Sequence, residues 1–245
     1  MKFPSIFQAN FPFSPLRFPF FYGWCIVIFT TLGMIASIPG QTMGVGVYTD
    51  FLIQNSHLNR IQISMAYMTG TILSSLLLPL AGRCYDLVGG RIMIVFAGIG
   101  MGISLLLFAE SLTIIHLVQS SLPNISILTS ELLVITMIFF LLRQFGQGIM
   151  AMVSRNTLAK WFERRRGMVS GISGIFVAFS FSGAPLFMNI IIEDYGYSGS
   201  MILMAIIFGF GMAFIGWLFF RDKPEDCGLL MDCLLYTSPS PRDRG

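Results

Sequence analysis

Charge is scarce in this chain. Only 11% of its 245 residues are Asp, Glu, Lys or Arg, where soluble domains carry roughly a quarter. That shortage excludes an ordinary soluble fold, and a mean hydropathy of +0.77 indicates an integral membrane protein. The formal net charge of +3 is too small for a nucleic-acid partner, so none is expected. Cysteine is nearly absent too. Cys25, Cys84, Cys227 and Cys233 have neither metal-ligand spacing nor the pattern of a disulfide framework. No nucleophile–histidine pair, metal-ligand cluster or phosphate-binding loop occurs, so an enzyme has no residues to rest on and no cofactor is expected. The first residues do not read as a signal peptide. FPSIFQANFPFSPL, between Lys2 and Arg17, is interrupted by three prolines and lacks an apolar run followed by small residues.

What the chain does have is long uncharged runs. A membrane helix needs about 20 mostly apolar residues. Such runs lie between Arg17 and Asp50, Arg60 and Arg83, and Arg91 and Glu110, then from Leu132 to Ser154, Gly167 to Ile192, and Tyr195 to Phe220. The expected fold is therefore all-α, with six transmembrane helices. A seventh candidate, residues 111–130, contains Pro123, Asn124 and several serines and is expected to be an outer loop. The distribution of positive residues supports that choice. With both ends in the cytosol, the inner segments hold Lys2, Arg17, Arg83, Arg91, Arg155, Lys160, Arg164, Arg165, Arg166, Arg221 and Lys223, and the outer loops hold Arg60 alone. Three cysteines then lie near the reducing side. His57 and His116 fall in outer loops, where lone histidines are usually solvated, and Asn124-Ile125-Ser126 is an outer sequon.

Two stretches carry candidate function. LAGRCYDLVGGR joins the second and third runs. Gly82, Gly89 and Gly90 permit a tight turn, Arg83 is placed at the negative end of one helix, and Asp86 just before the positive end of the next. Arg91 anchors the third run at the surface. In the fourth run, FFLLRQFGQGIM holds Arg143, the only Lys, Arg, Asp or Glu deep in any expected span. Insertion there costs about 2.5–3.5 kcal/mol, so a partner or a water-filled cavity is expected: either an anion or coupling site at a cavity wall, or an Arg tied to backbone carbonyls or to a neighbouring helix. Arg143 and Gln147 are four residues apart and share a helix face, with Met150 and Ser154 continuing near that stripe. Gly146 and Gly148 allow close helix approach, and Gly167, Gly171 and Gly174 offer small-residue contact surface further on. No Asp or Glu lies inside an expected span, so a proton carrier in this part of the chain is not expected to be a carboxylate.

The pattern G-R-x-x-D-x-x-G-G-R between the second and third runs resembles the loop motif of the major facilitator superfamily. FFLLRQFGQGIM resembles that family's Arg-and-Gly motif, with the Gln and first Gly displaced by one residue. WFERRRGMVSGISG, FYGWCIV and RDKPEDCGLL are similar to segments of the monocarboxylate and oxalate/formate branch, and Gly183-Ala184-Pro185 falls where members often have a Gly-Pro kink. The resemblance implies one six-helix half, built as two inverted three-helix repeats, of a transporter that moves a small organic anion with protons or a counter-anion. It implies that Gly82, Arg83, Asp86, Gly90 and Arg91 form a cytosolic loop latch, and that Arg143 with Gln147 serves the substrate cavity or coupling. The expected partners are the lipid bilayer, a small-molecule substrate and a C-terminal half of the same chain. The expected location is the plasma membrane or a bacterial inner membrane.

The expected divisions are a cytosolic tail at 1–19, a six-helix region at 20–220 and the start of a linker at 221–232. Residues 233–245 follow a different pattern. CLLYTSPSPRD is the in-frame reading of a transposase sequencing adapter, so this segment is expected to be an artefact that truncates the chain near Asp232. A non-transporting membrane sensor or assembly partner, and a half-size transporter acting as a homodimer, are the alternatives.

Overall fold

The computed structural model describes residues 10–229, so the tail reading of residues 233–245 lies outside the described residues. Helices account for most of them, and no strand occurs among them. The order is α1 (Gly23–Ala36), α2 (Thr42–Asn55), α3 (Arg60–Val88), α4 (Gly90–Ala109), α5 (Ser111–Ser121), α6 (Ile127–Arg143), α7 (Ala151–Trp161), α8 (Arg166–Met204) and α9 (Met212–Phe219). Two π-helical turns, Gln144–Met150 and Ala205–Gly211, join α6 to α7 and α8 to α9 without ending the helix. Among the described residues, four helices are long and apolar enough to cross a membrane: Arg60–Val88, Gly90–Ala109, Ile127–Trp161 and Arg166–Phe219.

Local chemistry sets the boundaries. The first apolar run divides where Pro39 and Gly40 form a single 3-10 turn, Ile38–Gly40, between α1 and α2. Asn59 opens α3 with a capping box: its side chain accepts from the Gln62 N–H at 2.9 Å, and its own N–H donates to the Gln62 side chain at 2.8 Å. Ser126 caps α6 by accepting from the Thr129 N–H. Gly89 alone separates α3 from α4, at φ 84°, a left-handed conformation open to glycine.

The stretch Arg166–Phe219 is not one straight rod. At 1.5 Å per residue it would run about 80 Å, yet both ends meet Tyr22. Val169 packs in the same buried cluster as Tyr22, and the Tyr22 hydroxyl donates to the Phe219 carbonyl at 2.8 Å. The reversal is at Gly196, whose φ 69° and ψ 176° are non-helical. It falls at the second residue of the sixth expected run, one position later than that run's expected start. Pro185 lies within α8 without ending the helix.

Packing centres on α4. Twelve of its 20 residues are buried, against six of 29 in α3, so α4 is the inner helix and α3 a peripheral one. Its small residues let neighbours approach: a side chain on Gly98 would meet the backbone of Gly209 and Ala213, and one on Gly102 the ring of Phe210.

Several expectations need correction. Residues 111–121 form a helix rather than a loop, although 11 residues reach only about 16 Å. The helix of the fourth expected run begins at Ile127 instead of Leu132, which brings Glu131 inside it, 4% exposed. His57 lies in the loop before α3 with its side chain 74% exposed, as expected, but it is not alone there: its ring Nδ1 lies 2.9 Å from Glu131 and its N–H donates to the same carboxylate at 3.0 Å. Gly167, Gly171 and Gly174 face open space. A side-chain carbon on any of them would meet nothing within 4 Å, so they make no helix contact among the described residues.

Candidate functional site

A cavity of about 470 Å³ is lined by the π turn Gln144–Met150 and its flanks in α6 and α7, by α3, by the start of α2 and by Phe181 of α8. Arg143, Gln147 and Arg155 line it, together with Asn156, Gln41, Thr71, Ser74 and Ser75. Two guanidiniums and a set of neutral polar groups therefore face one space, and no carboxylate is among its lining residues.

The π turn explains how Arg143 and Arg155 share that space. In a regular helix, each step of four residues drifts sideways by about 40°. Three such steps would carry residue 155 well away from residue 143. The wider π turn takes up the drift, so Arg143, Gln147, Ala151 and Arg155 stay on one face. The same turn overrides the expected stripe at its other members. Met150 and Ser154 are fully buried on the far side, Ser154 against Gly33 of α1.

Arg143 is half-buried. Its Nη1 donates to the Gly40 carbonyl at 3.5 Å, and its guanidinium lies 5.4 Å from the centre of the Tyr67 ring. Tyr67 is held in turn by the Thr42 hydroxyl at 2.9 Å. The carbonyl contact is at the outer limit of a hydrogen bond, and a ring face is a weak counterpart for a cation. A guanidinium so loosely compensated at membrane depth needs water or an anion beside it. Gly146 sets the geometry. A side chain there would meet the Gly40 Cα at 2.9 Å, so the break in the first apolar run and the π turn touch backbone to backbone. Gln144 faces away and accepts from the Ser74 hydroxyl at 2.8 Å.

Arg155, Asn156, Gln41 and Ser74 were not anticipated as cavity residues. Arg155 carried a usable signal, lying three steps of four from Arg143, but its charge also served the topology and was absorbed there.

At the α3–α4 hairpin the motif residues part company. Gly82 meets no neighbour, and Arg83 and Asp86 are exposed, with no ion pair between them. α3 continues to Val88, so Asp86 belongs to its last turn rather than to the start of the next helix. Arg91, expected to anchor at the surface, is 2% exposed. Its Nε and Nη2 donate to the Trp217 carbonyl at 2.8 and 2.6 Å, and its N–H donates to the Asp222 carboxylate at 2.8 Å. Gly90 fits closely beneath Thr157 and Tyr85, where any side chain would collide.

Long apolar helices beside a polar, cation-lined cavity are the mark of a multi-pass membrane protein. The chain belongs to the Major Facilitator Superfamily, which it matches over residues 29–228. That membership implies membrane transport of a small solute. No curated protein and no solved structure matches the chain.

Proposed function

We propose that the chain is a six-pass half of a secondary transporter that carries a small organic anion, such as a monocarboxylate, by alternating access. The observation that carries this reading is the cavity itself: Arg143 and Arg155 face it with neutral donors around them and no carboxylate to neutralise them. An anion entering would complete both charges, and a cation would find none. Counting α1 with α2 as one broken crossing, and dividing Arg166–Phe219 at the reversal at Gly196, supports a count of six passes. The charge asymmetry favours both ends in the cytosol, in the plasma membrane or a bacterial inner membrane. The unpartnered face of α8 is a suitable seat for the second half of such a carrier. The exposed Arg83 and Asp86 remain available to latch against that half, with Gly82, Gly90 and Arg91 shaping the hairpin that presents them.

The test is uptake of labelled lactate, oxalate and formate into proteoliposomes containing the full-length protein. Replacing Arg143 by Gln is expected to lower uptake of the transported anion by at least about tenfold, the scale of one lost charge-assisted contact. Unchanged uptake kinetics would refute a cavity role for Arg143.

A further inference from the structure

The end of the bundle that carries the α3–α4 hairpin holds a polar network that the transport site does not use. Helix ends leave backbone groups unpaired: N–H groups at the start, carbonyls at the finish. Here α4 begins beside the end of α9, and each supplies the other's missing partners. Arg91, at the start of α4, donates to the Trp217 carbonyl in the last turn of α9. Asp222, three residues beyond α9, accepts from the N–H groups of Arg91 and Gly90 at the first turn of α4. The cation sits at the negative end of one helix and the carboxylate at the positive end of the other. Gly89 is what admits Asp222, for a side chain on Gly89 would overlap that carboxylate.

The N-terminal segment is tied to the same residues. The Phe11 carbonyl accepts from Nη2 of Arg91 at 2.7 Å and from Nη2 of Arg221 at 3.1 Å. The Phe13 ring lies 4.9 Å from the Arg221 guanidinium and packs on Phe18, Tyr22 and Phe219. Trp161 closes the arrangement by donating to the Arg221 carbonyl at 2.9 Å. One short stretch, residues 217–222, thus holds the N-terminal segment, α1, α4 and α7 together.

We propose that residues 10–22 are a strap, and that the strap and the linker at 222–229 dock on the hairpin as one unit, fastened by the exchange of caps between Arg91 and Asp222. The fastening is made to open as well as to close. Two guanidiniums are buried with Asp222 as their nearby carboxylate, and Arg221 Nε finds no hydrogen-bond partner among the described residues. Exposure to water would relieve all three charged groups, so the docked state stands on its hydrogen bonds and its aromatic packing rather than on charge neutralisation. Undocking would free the linker and the strap in a single event, independently of what the cavity binds.

Hydrogen exchange on the full-length protein in lipid nanodiscs tests this. In Asp222→Ala, exchange is expected to quicken by about tenfold, the change that one lost charged hydrogen bond produces, both in residues 10–22 and at the first turn of α4. Asp226→Ala, on the exposed side of the same linker, is expected to leave both unchanged. Phe13→Ala perturbs the strap and its packing on Phe219 while leaving both partners of the Arg91–Asp222 cap exchange in place, and is expected to quicken residues 222–229 as well as 10–22. Faster exchange confined to the segment carrying each substitution, or none at all, would overturn the proposal.

Discussion

Two glycines of the π turn Gln144–Met150, two residues apart, offer an internally controlled test of the contact between the broken first run and the helix Ile127–Trp161. A side-chain carbon on Gly146 would lie 2.9 Å from the Gly40 Cα and 3.2 Å from the Ser37 carbonyl oxygen. Both are backbone atoms and cannot rotate away. On Gly148 the nearest atoms are the Arg143 carbonyl oxygen at 3.4 Å and the Leu78 and Ser74 side chains at 3.7 Å, which is ordinary contact. Replacing either by Ala brings the same conformational benefit, about 0.5–1 kcal/mol. Only Gly146→Ala adds overpacking, for which about 1–3 kcal/mol is typical. The difference between the two variants isolates that cost, since the shared benefit cancels. Gly146→Ala is therefore expected to be less stable than Gly148→Ala by about 1–3 kcal/mol. Thermal unfolding of both proteins in the same detergent, followed by size-exclusion fluorescence, reads the ordering directly. Equal melting curves, or Gly148→Ala as the weaker protein, would show that the two backbones do not touch as described.

Other substitutions test other contacts. Glu131→Ala removes the acceptor for the His57 N–H and ring and is expected to cost about 1–3 kcal/mol, read as a lower melting temperature, whereas Glu110→Ala, an exposed carboxylate nearby in sequence, should not change it. Gly89→Ala is expected to destabilise by at least about 1 kcal/mol, from its left-handed backbone and its overlap with Asp222, while Gly82→Ala, which meets nothing, should be neutral or slightly stabilising in the same assay. Burial raises the Asp222 carboxyl above its ordinary value, and the N–H donors of Arg91 and Gly90 oppose that shift only in part. A raised carboxyl means that the folded protein binds the proton more tightly than the unfolded chain. The stability of the wild type relative to Asp222→Asn should therefore fall as pH rises from the ordinary carboxylate value through the raised one. A relative stability that climbs over that window, in melting curves taken at stepped pH, would reverse the sign and refute the burial argument.

The sequence disclosed most of the helices because apolar length is a property of the chain alone. Arg143 was visible for the same reason, as a charge where none is cheap, and Gln147 followed from helical spacing. The rest of the cavity was hidden by one irregularity. A π turn cannot be read from residue types, and it moved Met150 and Ser154 into the core while aligning Arg155 with Arg143. Glu131 was missed because the apolar run begins one residue after it, although the helix begins four before. Asp222 gave no local signal whatever. Its partners lie 131 residues away, and only the folded bundle brings the end of α9 to the start of α4. The turn at Gly89 looked like a requirement of the hairpin, and it also makes room for that distant carboxylate.

The central position of α4 has a consequence for how this sequence tolerates change. Twelve of its positions are buried, from Gly90 to Phe108, and several of them are glycines pressed against neighbouring helices. A saturation library scored for expression should show a dense band of rejected substitutions along Gly90–Ala109, including conservative ones such as Gly98→Ala. Along α3, where most side chains face outward, exchanges among Leu, Ile, Val, Met and Phe should pass almost freely. Variation would then accumulate on the periphery of the bundle and stay away from its axis.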